Sequence, residues 1–208
     1  MIGAGDVGKA LGTGWARAGH EILFGVRDPV DPKHVAAAQA AGDARIAGVE
    51  AVADQSDVVV LAVGWEAVPD AIRQCGSLAG KIVIDATNPL TFGKDGPALA
   101  LGFSTSGGEE VARLAPDAIV FKTMNQVGFA VMADASGYAA RPAMFVAGDD
   151  GERKIDVLRL VENLGFEGID AGPLRNARLL EPYAMLWIDQ AFNHDAPRDN
   201  AFAFLRRE

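Results

Sequence analysis

The chain opens Met1-Ile2-Gly3-Ala4-Gly5-Asp6-Val7-Gly8-Lys9-Ala10-Leu11-Gly12, and the glycine spacing there decides the fold. Gly3, Gly5 and Gly8 fit G-x-G-x-x-G, with Gly12 one helical turn further on. In that pattern the first glycine permits a tight strand-to-helix turn. The second lets a pyrophosphate approach the backbone, and the third lets helix and strand pack closely. A helix opening near Val7 offers unpaired N–H groups and its positive dipole end to phosphates. Alone the motif is weak, because glycine-rich turns also occur without a ligand; the strand–helix–strand pattern behind it gives it weight. Gly3, Ala4, Gly5, Asp6, Val7 and Gly8 are therefore read as a dinucleotide's pyrophosphate site.

Outward from that turn, short β-branched runs alternate with alanine-rich helical stretches, as in a parallel sheet covered by helices. Strands are expected at residues 21–25, 45–47, 57–63, 81–85, 118–122, 143–147 and 167–170. Helices are expected at 7–18, 32–41, 66–75, 109–114 and 151–164, with a longer amphipathic one at 176–192. Segments 91–108 and 126–142 read as long loops, which in compact domains tend to carry function. The fold class is a doubly wound, mostly parallel α/β Rossmann sheet with a small C-terminal α/β extension and a long final helix. Residues 1–124 form the nucleotide-binding part. Residues 125–208 pack on the same sheet, with an acceptor crevice between the two. One strand is short: only Met1 and Ile2 precede Gly3, where a buried central strand belongs. Four missing aliphatic residues would forgo roughly 6–12 kcal/mol, comparable with a domain's whole net stability. A few more apolar residues upstream are the expectation; the alternative is a shortened strand compensated by its neighbours.

Composition narrows the function classes. Of 208 residues half are apolar, and the formal net charge is -9 with no basic run. That excludes nucleic acid and anionic membrane surfaces as partners. The longest apolar runs, such as 58–63, are far too short to span a bilayer. Cys75 is the single cysteine and no export signal opens the chain, so a cytoplasmic, reducing setting is expected.

The ends of the strands choose the cofactor and its partner. NAD enzymes usually present an acidic residue at the end of the second strand. Here Gly25-Val26-Arg27 stands instead, and Arg27 can pair bidentately with a 2′-phosphate. NADP is the cofactor this implies, although Asp28 could do the acidic job. Ligands lie outside the carboxyl ends of parallel strands. Val63-Gly64-Trp65 ends one strand, with room at Gly64 for a ring and an indole that either walls the nicotinamide pocket or packs on the sheet edge. Asn88 and Pro89 end the next, presenting an amide to the cofactor or simply turning the chain. A third strand end leads through Asn125, Val127 and Gly128 toward the same crevice. None of His20, His34 and His194 pairs with a sensible carboxylate or cysteine, so neither a nucleophilic triad nor a metal site is expected. Asp149 and Asp150 read as helix caps, and residues 195–208 as a charged tail. No catalytic residue is assigned.

These residues resemble the F420-dependent NADP oxidoreductase family, which passes hydride between NADP and a deazaflavin. The resemblance runs along nearly the whole chain. It includes the opening turn and His20-Glu21-Ile22-Leu23-Phe24-Gly25-Val26-Arg27, similar to the family's H-E-I-x-x-G-S-R. It continues through Trp65-Glu66, Gly148-Asp149-Asp150, and Asp170-Ala171-Gly172-Pro173-Leu174 with Asn176, Arg178, Leu179 and Glu181, the most specific element. The resemblance implies that residues 4–7 hold the pyrophosphate and that Val26 and Arg27 read the 2′-phosphate. Val63, Gly64 and Trp65 would lie near the nicotinamide, and Asn125 to Phe129 would line the acceptor crevice. Val26 stands where the family has a serine, Gly64 where it has a proline, and Asn125 where some members have histidine. The second substrate implied is coenzyme F420 or a flavin, and the family grounds extend to a homodimer through the final helix. Competing readings are an NADPH reductase of an imine, carbonyl or ferric chelate, and a non-catalytic NADP-sensing module.

Overall fold

Three apolar runs build the centre of the molecule: β3 (Val58–Leu61), β4 (Ile82–Asp85) and β7 (Ile119–Lys122). They lie parallel and in register, Val58 beside Ile82 and Ile82 beside Ile119. Side chains alternate across a strand, so each run feeds two cores. Val60, Ile82, Ile84 and Phe121 face one side, where α1 (Asp6–Arg17), α2 (Pro32–Ala40), α6 (Phe129–Ala133) and α7 (Gly151–Glu162) pack. Val59, Leu61, Val83 and Val120 face the other, under α3 (Val49–Gln55), α4 (Val68–Gln74) and α5 (Gly107–Leu114). Burial on both faces is why these runs are continuously apolar. The fold is a Rossmann-like α/β/α sandwich. The computed structural model describes residues 1–94, 96–194 and 196–207.

On one flank β1 (Leu23–Gly25) pairs in parallel with β2 (Arg45–Ala47). On the other, β8 (Ala143–Gly148) runs antiparallel to β7, and β9 (Glu167–Asp170) parallel to β8. The expected C-terminal extension thus continues the same sheet. It closes with a short turn, Leu174–Asn176, and the final helix α8, Ala177–Asn193. Gly148 shows how tightly β8 is fitted, because a Cβ there would stand 2.5 Å from Phe121 Cε1. Gly148→Ala is expected to cost roughly 1–3 kcal/mol through overpacking, lowering Tm by several degrees in a chain of this size. An unchanged thermal melt would contradict the fit.

Before the glycine turn, Ile2 alone takes a strand position. It bridges Gly25 on one side and Leu61 on the other, with Ile2 N 2.8 Å from Val60 O and Ala62 N 2.9 Å from Ile2 O. Its neighbours thereby join the two halves of the sheet. The Met1 amino group donates to Leu23 O at 2.8 Å, and burial pulls its pKa down to about 5. Between about pH 8 and pH 5 the unfolded chain therefore takes up a proton that the folded chain refuses. Stability of the 208-residue chain should fall as pH drops through that window, by roughly 3–5 kcal/mol. Urea denaturation at pH 8 and pH 6 checks this; identical midpoints would contradict a neutral buried amine.

Three expectations need correction. Residues 91–108 are not one loop: β5 (Leu90–Gly93) and β6 (Gly96–Leu99) form an antiparallel hairpin, and α5 begins at Gly107. Its glycines and exposed faces hide it in the sequence, while α8 supplies its support through Leu90, packed against the Trp187–Ile188 cluster. The 126–142 segment contains the short helix α6. Helix α3 was not anticipated, because seven residues give only one apolar repeat, Val49, Val52 and Ala53. Asp195 and Glu208 of the expected tail lie outside the described residues.

Candidate nucleotide-binding site

The glycine turn sorts its own residues by role. Gly3 sits at φ +98°, where a Cβ would lie 2.5 Å from Ala62 O. A Cβ on Gly8 would lie 3.0 Å from the Gly3 carbonyl carbon. Both are glycine for packing. Gly5 differs, since nothing stands within 4 Å of where its Cβ would be. It is the N-cap of α1, and no side chain caps that end. The first amides of a helix have no partner within it, and this open spot leaves them accessible from the cleft. A cleft of about 950 Å³ runs past Gly3, Ala4, Gly5, Asp6 and Lys9. Val7 instead packs on the first core cluster.

The same cleft continues to Arg27 at the end of β1. Val26 turns its side chain into the core, at 4% exposure, and its amide bonds to Ala47 O. Arg27 is exposed and lines the cleft. Asp28 has local work: Oδ1 accepts the Val30 amide at 3.1 Å, and its carbonyl lies 2.7 Å from His34 Nδ1. Lys33 and His34 line the cleft beside Arg27. His34, expected on a surface helix, stands in the first turn of α2, just beyond the β1 end, and that position is the signal of its place on the cleft.

Toward the other end of the cleft, Val63 and Gly64 line the wall. Trp65 is half-buried and lies over Gly107, whose Cβ would be 3.1 Å from Trp65 Cζ3 and 3.4 Å from Pro89 Cδ. Asn88 and Asn125 are brought together: Asn88 Nδ2 donates to Asn125 O at 2.9 Å and Asn125 Nδ2 to Asn88 Oδ1 at 3.0 Å. Immediately before Asn125 the chain turns at Met124, buried and at φ +61°, a left-handed conformation that costs a non-glycine residue energy. Gln126 fixes the next step, receiving the Phe145 amide and donating to the Phe145 carbonyl, both at 2.9 Å. Val127 is core rather than lining. Gly128 lies against Trp187, and Phe129 is 45% exposed.

Beneath this wall lies an ion cluster that the sequence reading missed. Lys122 Nζ is 2.8 Å from Asp85 Oδ2 and 3.0 Å from Glu181 Oε1, all three side chains buried. Burial pulls the ammonium's pKa down, and the two carboxylates outweigh it, leaving a net upward shift. The Asp170–Glu181 segment proves to be a joint. Lys154 Nζ meets Asp170 Oδ1 at 2.7 Å, Asn176 Nδ2 donates to Ala171 O, and Arg178 forks onto Glu109 at 2.8 and 2.6 Å. Asp150 caps α7 through the Arg153 amide, and Asp149 accepts the Leu174 amide.

Elsewhere, His20 lies 2.8 Å from Asn163 Nδ2. His194, expected to lack a carboxylate, stands 3.1 Å from Asp189 Oδ2; the pair is solvent-accessible at the end of α8, away from the cleft lining. Burial pushes the Cys75 thiol up to about 11, which makes it a poor nucleophile. Among the described residues no group of three or more His, Cys, Asp or Glu could hold a metal, and no helix is long and apolar enough to cross a membrane.

Residues 1–89 match the family model described as "NADP oxidoreductase coenzyme F420-dependent". The F420-dependent NADP reductase of Methanothermobacter marburgensis is 28% identical over 201 residues, 90% of this chain and 88% of that protein. Metalloreductase STEAP3 of Rattus norvegicus is 26% identical over 181 residues, and the chain spans only 35% of its length. A crystal structure of a candidate F420-dependent NADP-reductase from Arthrobacter sp. FB24 superposes with a TM-score of 0.90 at 30% identity, covering 99% of this chain and 97% of that one. The chain belongs to the F420-dependent NADP oxidoreductase family, and so to the NADP-dependent oxidoreductases.

Proposed function

We propose that the chain transfers hydride between NADPH and a flat redox acceptor, a deazaflavin such as coenzyme F420 or a flavin. The acceptor would enter the crevice between residues 1–124 and 125–208. One observation carries the reading: a diphosphate cradle at Gly5 opens into a cleft that has Arg27 at one end and Gly64 at the other. When bound, NADPH supplies the hydride from its nicotinamide. The chain's part is to hold and to orient. Gly5 and the first amides of α1 take the diphosphate, Arg27 takes the 2′-phosphate, and Gly64 leaves room for a ring. Hydride transfer between stacked rings needs near-contact geometry and no general base, and the paired amides of Asn88 and Asn125 offer position rather than proton chemistry.

Absorbance at 340 nm tests the proposal, with coenzyme F420, FMN, ferric chelates and a cyclic imine as acceptors. Turnover with the deazaflavin or flavin is expected. Ferric chelates are included because of the metalloreductase relative, and faster turnover with them would redirect the reading. Tight NADPH binding with no oxidation by any acceptor would leave an NADP-sensing module. The same proposal includes a cytoplasmic setting and a homodimer through α8. That helix carries an exposed stripe, Leu179 at 66% and Leu186 at 52%, about the exposed Pro182, with Arg175 before it and Asp189 after it. Two antiparallel copies would set Arg175 against Asp189. Light scattering should report the doubled mass, and a monomer at micromolar concentration would count against it.

A further inference from the structure

Asp85, Lys122 and Glu181 are 0%, 0% and 1% exposed. An ammonium has three N–H bonds, and Lys122 directs them to Asp85 Oδ2 at 2.8 Å, Thr87 O at 2.6 Å and Glu181 Oε1 at 3.0 Å. Asp85 Oδ1 accepts both the Thr87 amide at 3.0 Å and its hydroxyl at 2.7 Å. Glu181, reaching in from α8, accepts the Gly107 amide at 2.9 Å and the Gly108 amide at 3.0 Å, at the N-terminal end of α5.

Such a network is a poor way to add stability. Two carboxylates and one ammonium leave a net negative charge inside the protein, and apolar groups of similar volume are often as stable. What the network does is locate backbone. The Thr87 carbonyl immediately precedes Asn88, and the Gly107 backbone is the floor beneath Trp65 and Pro89. One buried ammonium thus ties together the backbone before Asn88, directly, and the backbone beneath Trp65 and Pro89, through Glu181. We infer that Lys122, clamped between Asp85 and Glu181, is a positioning residue for the nicotinamide half of the cofactor, setting Asn88 and Trp65 without touching the ligand. The inference rests on the proposed reading of that crevice as the nicotinamide side.

The test compares two ligands. Adenosine 2′,5′-diphosphate carries the phosphorylated ribose but no nicotinamide; NADPH carries both halves. In Lys122→Met, and in Glu181→Gln, calorimetric affinity for adenosine 2′,5′-diphosphate should stay within twofold of the wild type. Affinity for NADPH should fall at least tenfold, and the fluorescence of bound reduced nicotinamide should move toward that of the free cofactor. Where Lys122→Met does not fold, Glu181→Gln and Asp85→Asn carry the comparison. A folded variant in which both affinities hold, or both fall together, overturns the positioning role. A wild type that binds NADPH no more tightly than adenosine 2′,5′-diphosphate, with no fluorescence change, overturns the crevice reading itself.

Discussion

Gly5→Val is expected to abolish dinucleotide binding while leaving the folded chain intact. The position is the N-cap of α1 at φ -73°, ψ -169°, an extended conformation that valine adopts without strain. No atom lies within 4 Å of the new Cβ, so the unliganded protein has room for the side chain. That room is also the approach to the first amides of α1, and an isopropyl group fills it. Loss of at least a hundredfold in affinity for NADPH is expected, or about 2.7 kcal/mol. Calorimetry gives the affinity and circular dichroism the fold. Retained affinity would remove the motif's claim, whereas Gly8→Ala should damage the fold first, because its Cβ would meet the Gly3 carbonyl.

Arg27→Ala should weaken the protein's preference for NADPH over NADH. The 2′-phosphate is the one group that separates NADPH from NADH, and a charged hydrogen bond to it is worth roughly 1.5–3 kcal/mol. The Michaelis constant for NADPH should therefore rise about 10- to 100-fold, and that for NADH by no more than about twofold. Lys33 and His34 share the cleft, so some preference for the phosphorylated cofactor should remain. Equal effects on the two cofactors would refute the phosphate role. If Asp28 were instead the ribose reader, its substitution by alanine should weaken NADH binding selectively. Its carboxylate is already held by the Val30 amide in its own loop.

What the sequence by itself determined was everything that local pattern can carry. The glycine turn, the paired faces of β3, β4 and β7, and the capping role of Asp150 all depend on residues a few positions apart. Strand ends followed from the same patterns, so Arg27 and Gly64 could be expected at one cleft from the sequence, and both line it. Short or exposed elements escaped, as the β5–β6 hairpin and α3 did, because tertiary packing rather than local preference holds them. The Asp170–Glu181 segment stood out through its resemblance to the family, but its role did not. Only the tertiary structure decided that Lys122 meets Asp85 across 37 residues, and that Glu181 caps α5 across 74. A buried charge is placed by partners far along the chain, and nothing in its own neighbours announces them. The turn at Gly3 to Gly8 was legible in the sequence, then, but the device that holds the crevice opposite it was not.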